Sequence, residues 1–271
     1  MSAPASLARK VEPEKHSSLY WALENARVLT LRSLRHMIRN MDQLLGVAMM
    51  PIMFLLLFRY VFGGAINTGE TSYVNFLVAG ILVQNLAFGA STTALNLVVD
   101  LNKGIVDRFR SLPMAGGALL IGHVTADLVR NVLSALVMIL AGFVVGFRPT
   151  AGPKEWALVL GLILLFTFAI SWLSAVMGLL VKTMEAVQWM SFVFIMPLTF
   201  ASSAFVPTNN MPTALKIFAE NQPFTLVINS MRAWLVGTPI GNSGWYAFLW
   251  CIAITAVSMP TATWMFRRRG K

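Results

Sequence analysis

The stretch Asp100–Asn131, DLNKGIVDRFRSLPMAGGALLIGHVTADLVRN, is a polar, basic segment between two long apolar runs. Four charged side chains fall within about three helical turns: Lys103, Asp107, Arg108 and Arg110. The Leu112-Pro113 pair predicts that this helix ends before the chain becomes apolar again. The pattern favours a short helix at a membrane surface. It is either a docking surface for another protein or a solvated connector.

The composition around this stretch is that of an integral membrane protein. Of 271 residues, 57% are hydrophobic and only 12% are charged, whereas a soluble domain has about 25% charged residues. The net charge of +10 is compatible with nucleic-acid binding by itself. However, the basic residues stand beside apolar runs, where anionic lipid headgroups are the nearer partner. We therefore exclude nucleic acid and expect membrane lipid as a partner.

Upstream, Leu19–Met41 has the pattern of a basic amphipathic helix. Apolar side chains recur on one face at helical spacing, and Arg32, Arg35 and Arg39 cluster on the other. Such a helix lies in the interface, where each arginine contributes about 1 kcal/mol with anionic lipid. We therefore divide the chain into a cytoplasmic segment with this interfacial helix, residues 1–42, and a transmembrane domain, residues 43–271.

Six apolar runs approach or exceed the about 20 residues that cross a bilayer core. They are Leu44–Phe62, Tyr73–Val99, Ala118–Phe147, Trp156–Val181, Val187–Phe205 and Trp245–Phe266. Between the last two, Ala214–Ala219 and Phe224–Val236 are too short to span and predict short helices at the outer leaflet. The sequence thus predicts an all-α membrane protein with six transmembrane helices, an N-terminal interfacial helix and a cytoplasmic helix between spans two and three.

The distribution of lysine and arginine predicts the orientation. With six spans, the side that holds both termini and the central loop carries 15 basic residues, and the other side carries five. Because cytoplasmic loops are enriched in basic residues, both termini are expected in the cytoplasm of a multi-pass protein of the cell membrane.

Two sets of polar residues lie inside the predicted spans. Asp127 and Arg130, three residues apart, can pair at the cytoplasmic headgroups; a proton relay is the alternative. The second span carries Gln84, Asn85, Thr92 and Asn96, which either bond neighbouring helices together or line a substrate path.

Motifs for chemistry are sparse. His16, His36 and His123 lack metal-ligand spacing, no paired carboxylates fall inside a span, and no phosphate-binding loop is present. We expect neither a catalytic site nor a bound metal or cofactor, and we do not expect this chain to hydrolyse ATP. A channel is disfavoured because the sequence contains no charged ring or filter-like loop.

Two runs resemble the ABC-2 permeases of the daunorubicin-resistance (DrrB-like) type. These are GIVDRFRSLPMAGGALLIGHVTADLVRNVL, residues 104–133, and ENQPFTLVINSMRAWLVGTP, residues 220–239. The resemblance covers nearly the whole chain, from the interfacial helix to the basic tail. It implies a half-transporter in which two six-span subunits pair with two separate ATP-binding subunits, which hold the ATP and Mg²⁺. The second permease is either another copy of this chain or a related one.

The resemblance also assigns roles to two segments. Ile105–Leu112 would be the coupling helix seated on the ATPase, and Ser18–Met41 would be the connecting helix. The residues assigned to ATPase coupling are then Lys103, Ile105, Asp107, Arg108, Arg110 and Leu112.

The function expected from the resemblance is ATP-driven export of hydrophobic or amphiphilic molecules, such as a drug, an antibiotic or a lipid. A permease for lipid-linked polysaccharide or another glycoconjugate is the alternative within the class. A membrane assembly subunit that transports nothing is the alternative outside it.

Overall fold

The protein is described from a computed structural model, which covers residues 41–66, 72–104 and 118–268. Regular structure over these ranges is helical throughout. The α-helices are α1 Met41–Leu57, α2 Tyr73–Ala90, α3 Thr92–Asn102, α4 Ala118–Val145, α5 Pro153–Leu180, α6 Met184–Phe200, α7 Thr213–Asn221, α8 Pro223–Val236 and α9 Ser243–Arg268. A π-helical turn, Phe58–Phe62, extends α1, and a 3-10 turn, Thr208–Asn210, precedes α7.

Within the described ranges, four helical segments are long and apolar enough to cross a membrane: Tyr73–Asn102, Leu119–Val145, Pro153–Leu180 and Ser243–Arg268. The first is the centre of the molecule, because 89% of its most apolar window is buried by other helices. Two further apolar helices, α1 with its π-helical turn and α6, are shorter. α6 has 17 residues, which at 1.5 Å per residue gives about 26 Å, slightly less than the about 30 Å bilayer core.

The predicted second span, Tyr73–Val99, lies within the long segment Tyr73–Asn102, but the helix is interrupted at one residue. α2 ends at Ala90, Ser91 lies in a turn, and α3 begins at Thr92. The apolar run continues across this break, so hydropathy alone does not reveal it. The break separates the buried helix α2 from the shorter helix α3, which leads to the central loop.

The region between α6 and α9 contains the two short helices expected there, α7 and α8. α8 begins with Pro223 and ends at Gly237, whose φ of 80° is left-handed, a conformation that favours glycine. The connection after α6 presses closely on α2: a Cβ atom at Gly80 would lie 2.2 Å from the carbonyl oxygen of Ala204. Only glycine at position 80 allows this backbone contact.

Two predicted sites lie outside the described residues. They are the interfacial arginines Arg32, Arg35 and Arg39, and the coupling stretch Ile105–Leu112 with Asp107, Arg108 and Arg110. Lys103 is described, and lies exposed at the C-terminal cap of α3.

Candidate functional site

A cleft of about 240 Å³ lies between α1, α2 and α6, and its inner end reaches the start of α3. Its walls are mainly aromatic and sulfur-containing side chains: Met50, Phe54, Phe88, Phe192 and Met196. Methionine and aromatic side chains adapt to irregular apolar molecules, because thioethers are flexible and polarisable and rings present large flat faces. The cleft can therefore hold an apolar group without requiring one shape.

Among the described residues, polar groups enter the cleft only along α2 and α3, through Gln84, Asn85 and Thr92. Asn85 donates a hydrogen bond of 2.7 Å from its amide to the hydroxyl of Ser134 on α4. The Gln84 amide lies 3.9 Å from the sulfur of Met196, across the cleft. Gln84 and Asn85 are buried. A bound molecule would thus meet amide and hydroxyl groups on one wall only.

The four polar residues of the predicted second span do not all line the cleft. Gln84, Asn85 and Thr92 line the cleft, whereas Asn96 is exposed on α3. The same residues also bond neighbouring helices, since Asn85 contacts Ser134 and Thr92 contacts Asp127. Asn85 and Thr92 therefore both line the cleft and hydrogen-bond to a neighbouring helix.

Behind Thr92 lies an ion pair between Asp127 and Arg130 of α4. The Thr92 hydroxyl lies 3.0 Å from a carboxylate oxygen of Asp127, and the Arg130 guanidinium donates to the same hydroxyl. Asp127 is only 1% exposed. The pairing agrees with the sequence prediction, and Asp127 lies where α4 contacts α3 through Thr92; its level relative to the headgroups stays a prediction.

A second polar contact lies nearer the central loop. The His123 imidazole of α4 is 3.1 Å from the Asp100 carboxylate of α3. At the end of α3, the Asn102 amide donates to the carbonyl of Lys182, in the turn before α6, at 3.1 Å. The base of the central loop is thus tied both to α4 and to the start of α6.

At the other end of the cleft, aromatic rings close the space between α1 and the connection after α6. The Phe205 ring stacks on Phe58 with centroids 4.3 Å apart, and it also stacks on the cleft residue Phe54 at 6.4 Å. The hydroxyl of Tyr73 donates to the Phe205 carbonyl at 3.1 Å. Phe205 is 3% exposed, so its ring is buried at this end of the cleft; we call Phe205 and the residues just before it the barrier segment.

Arg232 of α8 holds this barrier segment in place. Its guanidinium donates to the Ser203 carbonyl at 2.8 Å, to the Phe76 carbonyl at 3.1 Å and to the Asn229 side chain at 2.9 Å, and it lies 3.6 Å from the centre of the Phe76 ring. Burial lowers the pKa of Arg232 to about 9, so it remains protonated at neutral pH. The contacts fix α8, α2 and the residues before Phe205 to one another.

Sequence reasoning missed Arg232 and most of the cleft. Arg232 is one of the five basic residues that the sequence assigns to the side opposite the termini, although its place in the apolar run Phe224–Val236 was a signal that it is buried. The walls formed by α1 and α6 come from segments more than 130 residues apart, and no local pattern marks them. Across the described ranges, no group of three His, Cys, Asp or Glu residues is arranged to hold a metal ion.

Comparison with known proteins identifies the family of this chain. The model of the family described as "ABC-2 type transporter" matches residues 24–236. The daunorubicin resistance ABC transporter permease protein DrrB1 of Streptomyces coeruleorubidus is 29% identical over 232 residues, covering 84% of this chain and 81% of the relative. The probable doxorubicin resistance ABC transporter permease protein DrrC of Mycobacterium tuberculosis H37Rv is 24% identical over 239 residues, or 86% and 85% of the two chains.

A putative transport permease, ycf38 of Cyanophora paradoxa, is 26% identical over 231 residues, covering 82% of this chain and 79% of the relative. The family match spans most of the chain, including α1 to α8 and the cleft between α1, α2 and α6. The chain therefore belongs to the ABC-2 type transporter family and is a DrrB-like, multi-pass membrane permease.

Proposed function

We propose that this permease moves hydrophobic or amphiphilic molecules, such as a drug, an antibiotic or a lipid, out of the cell. The observation that carries the proposal is the cleft, whose aromatic and methionine walls end at the amides of Gln84 and Asn85 and the hydroxyl of Thr92. An amphiphile can bury its apolar part against the walls and hydrogen-bond to α2 through its polar part. The names of two relatives, which refer to daunorubicin and doxorubicin resistance, support the same class of cargo.

The energy is proposed to come from a separate ATP-binding subunit. The described residues and the rest of the sequence lack a phosphate-binding loop, so this chain does not supply the nucleotide site. The central loop, with Lys103, Ile105, Asp107, Arg108, Arg110 and Leu112, is the proposed contact with the ATPase. A second permease, either the same chain or a related one, completes the transporter.

The proposed topology has six spans with both termini in the cytoplasm. α1 with its π-turn and α6 add two shorter spans to the four long segments, and the 15 to 5 division of basic residues sets the direction. Cysteines at the exposed positions Asn209 and Thr183 test it in a Cys251→Ser background. An impermeant maleimide should reach position 209 from outside and position 183 only from inside. The reverse pattern would mean that the chain has the opposite orientation.

The function is tested by ATP-dependent uptake of lipophilic dyes into inside-out vesicles that contain the permease and its ATPase. Vesicles with the permease alone are the control. We expect uptake only with both subunits and ATP. If the pair hydrolyses ATP and moves a lipid-linked glycan but no amphiphile, the glycoconjugate exporter replaces this proposal. If no ATPase associates with the permease, the chain is an assembly subunit.

A further inference from the structure

The break between α2 and α3 is a joint built from hydroxyl side chains. Ser91 donates from its hydroxyl to the Ala87 carbonyl at 3.2 Å, and the Thr92 hydroxyl lies 2.7 Å from the Gly89 carbonyl. Side chains that bond back to the preceding turn compete with the helical ladder and bend helices. Gly89 and Thr92 both line the cleft, so a change of angle at this joint changes the cleft wall.

The Thr92 hydroxyl can donate to only one of two acceptors at a time. It has a single hydrogen, but both the Gly89 carbonyl, at 2.7 Å, and the Asp127 carboxylate, at 3.0 Å, lie within reach. Arg130 occupies one lone pair of the same oxygen. Donation to Gly89 closes the bend within the helix, whereas donation to Asp127 fastens α3 to α4. The joint therefore has two discrete hydrogen-bonding arrangements.

The polar groups around the joint are only partly satisfied in the arrangement observed. The second carboxylate oxygen of Asp127, Nε of Arg130 and the side-chain amide of Asn131 are buried and have no hydrogen-bond partner among the described residues. Asn131 lies against the joint, because a Cβ atom at Gly89 would be 1.9 Å from its amide oxygen. Unpaired buried polar groups raise the free energy of this arrangement, so a rearrangement that pairs them would be favoured.

The joint lies between the cleft and the central loop. α3 has 11 residues, about 16 Å at 1.5 Å per residue, and its far end is fastened to α4 by Asp100 and His123. α3 and the first turns of α4 flank the central loop, and the contact between Asp100 and His123 joins them. In the proposed transporter, a displacement of the loop would be transmitted through these helices to Thr92 and to the cleft.

We propose that Asp127 and Arg130 are positioning residues for transport, which set the angle between α2 and α3 through the hydroxyl of Thr92. The inference rests on the proposed function, since it concerns how movement of the central loop reaches the cleft. Neither charged residue lines the cleft, so they act on cargo only through the joint.

The first test compares the number of dye molecules moved per ATP hydrolysed in vesicles that contain both subunits. Asp127→Asn keeps the shape of the side chain but removes the charge, and Thr92→Val removes the hydroxyl. Each should lower the number of dye molecules moved per ATP hydrolysed about tenfold. One hydrogen bond to a charged group can shift a two-state equilibrium by about this factor. Thr92→Ser keeps the hydroxyl and should give the wild-type ratio.

The matched control is Thr125→Val, which removes a hydroxyl of α4 that bonds only to its own helix at Ile121. It should leave the ratio unchanged. Equal ratios for wild type, Asp127→Asn and Thr92→Val would overturn the proposal. A loss in Thr92→Ser as large as that in Thr92→Val would also do so, because the hydroxyl would then not be the cause.

The second test does not depend on cargo. Spin labels at the exposed positions Asn96 of α3 and Val257 of α9, in a Cys251→Ser background, report the distance between the two helices. We expect the distance to change between the nucleotide-free and ATP-trapped complexes of the wild type and to stay fixed in Asp127→Asn. The same change in both proteins, or none in the wild type, would overturn the joint. If the wild-type complex moves no amphiphile but shows the distance change, and Asp127→Asn does not show it, the joint would be supported and the proposed function rejected.

Discussion

Replacing Arg232 by methionine should loosen the outer end of the molecule. The substitution keeps a long side chain but removes the hydrogen bonds to Ser203, Phe76 and Asn229 and the contact with the Phe76 ring. Phe76 also lies in the α2 ladder, and Asn229 also accepts from the Ser203 hydroxyl at 2.8 Å. The Ser203 carbonyl is therefore the acceptor most affected by the change.

The expected loss follows from these contacts. A buried acceptor left without its partner costs about 1–3 kcal/mol, and a desolvated cation–π contact contributes about 2 kcal/mol. Removing a buried charge offsets part of this, because its desolvation is no longer required. We expect a net loss of about 2–4 kcal/mol, which lowers Tm by roughly 4–8 °C for a chain of this size.

Two measurements test this reasoning. The first is the thermal unfolding of the purified permease, and the second is maleimide labelling of Ser203→Cys, a position that is buried in the wild type. Arg232→Met should lower Tm and speed the labelling from outside, whereas Arg232→Lys should lie between. A Tm within about 1 °C of wild type, with no change in labelling, would show that Arg232 does not hold this segment.

Three further predictions concern the barrier, the joint and the central loop. Phe205→Ala removes the ring that stacks on Phe58 and should let an impermeant outside reagent reach the cleft, whereas Phe205→Leu should not. Gly89→Ala should destabilise the protein by about 1–3 kcal/mol through overpacking, because its Cβ would meet Asn131; adding Asn131→Ala should recover most of the loss in a thermal unfolding assay. Reversing the charges of Arg108 and Arg110 should weaken co-purification with the ATPase while the permease still inserts, and undiminished co-purification would reject the coupling role.

The helical framework could be predicted because membrane spans are a local property of the chain. Runs such as Trp156–Val181 and Trp245–Phe266 are apolar over the length of a bilayer, and helices follow from the need to satisfy backbone hydrogen bonds in lipid. The observed helices Pro153–Leu180 and Ser243–Arg268 differ from these runs only at their ends. Helix ends depend on caps and turns, which hydropathy does not register.

The site was less predictable because it depends on contacts between distant segments. Asn85 and Thr92 were recognisable as polar residues in a span, but their partners Ser134 and Asp127 follow from how α4 packs on α2 and α3. The break at Ser91 depends on hydroxyl groups bonding back to the helix, a choice that the apolar run does not determine. Arg232 is buried because backbone carbonyls of other segments surround it.

The proposed export function depends most directly on whether cargo occupies the cleft. Met50 lines it and its neighbour Met49 does not, although the two side chains are almost equally exposed, at 57% and 56%. Maleimide labelling of Met50→Cys and Met49→Cys, each in the Cys251→Ser background, should therefore differ when a transported amphiphile is present at saturation. We predict severalfold slower labelling at position 50 and no change at position 49. Equal labelling rates at position 50 with and without the amphiphile would contradict the account.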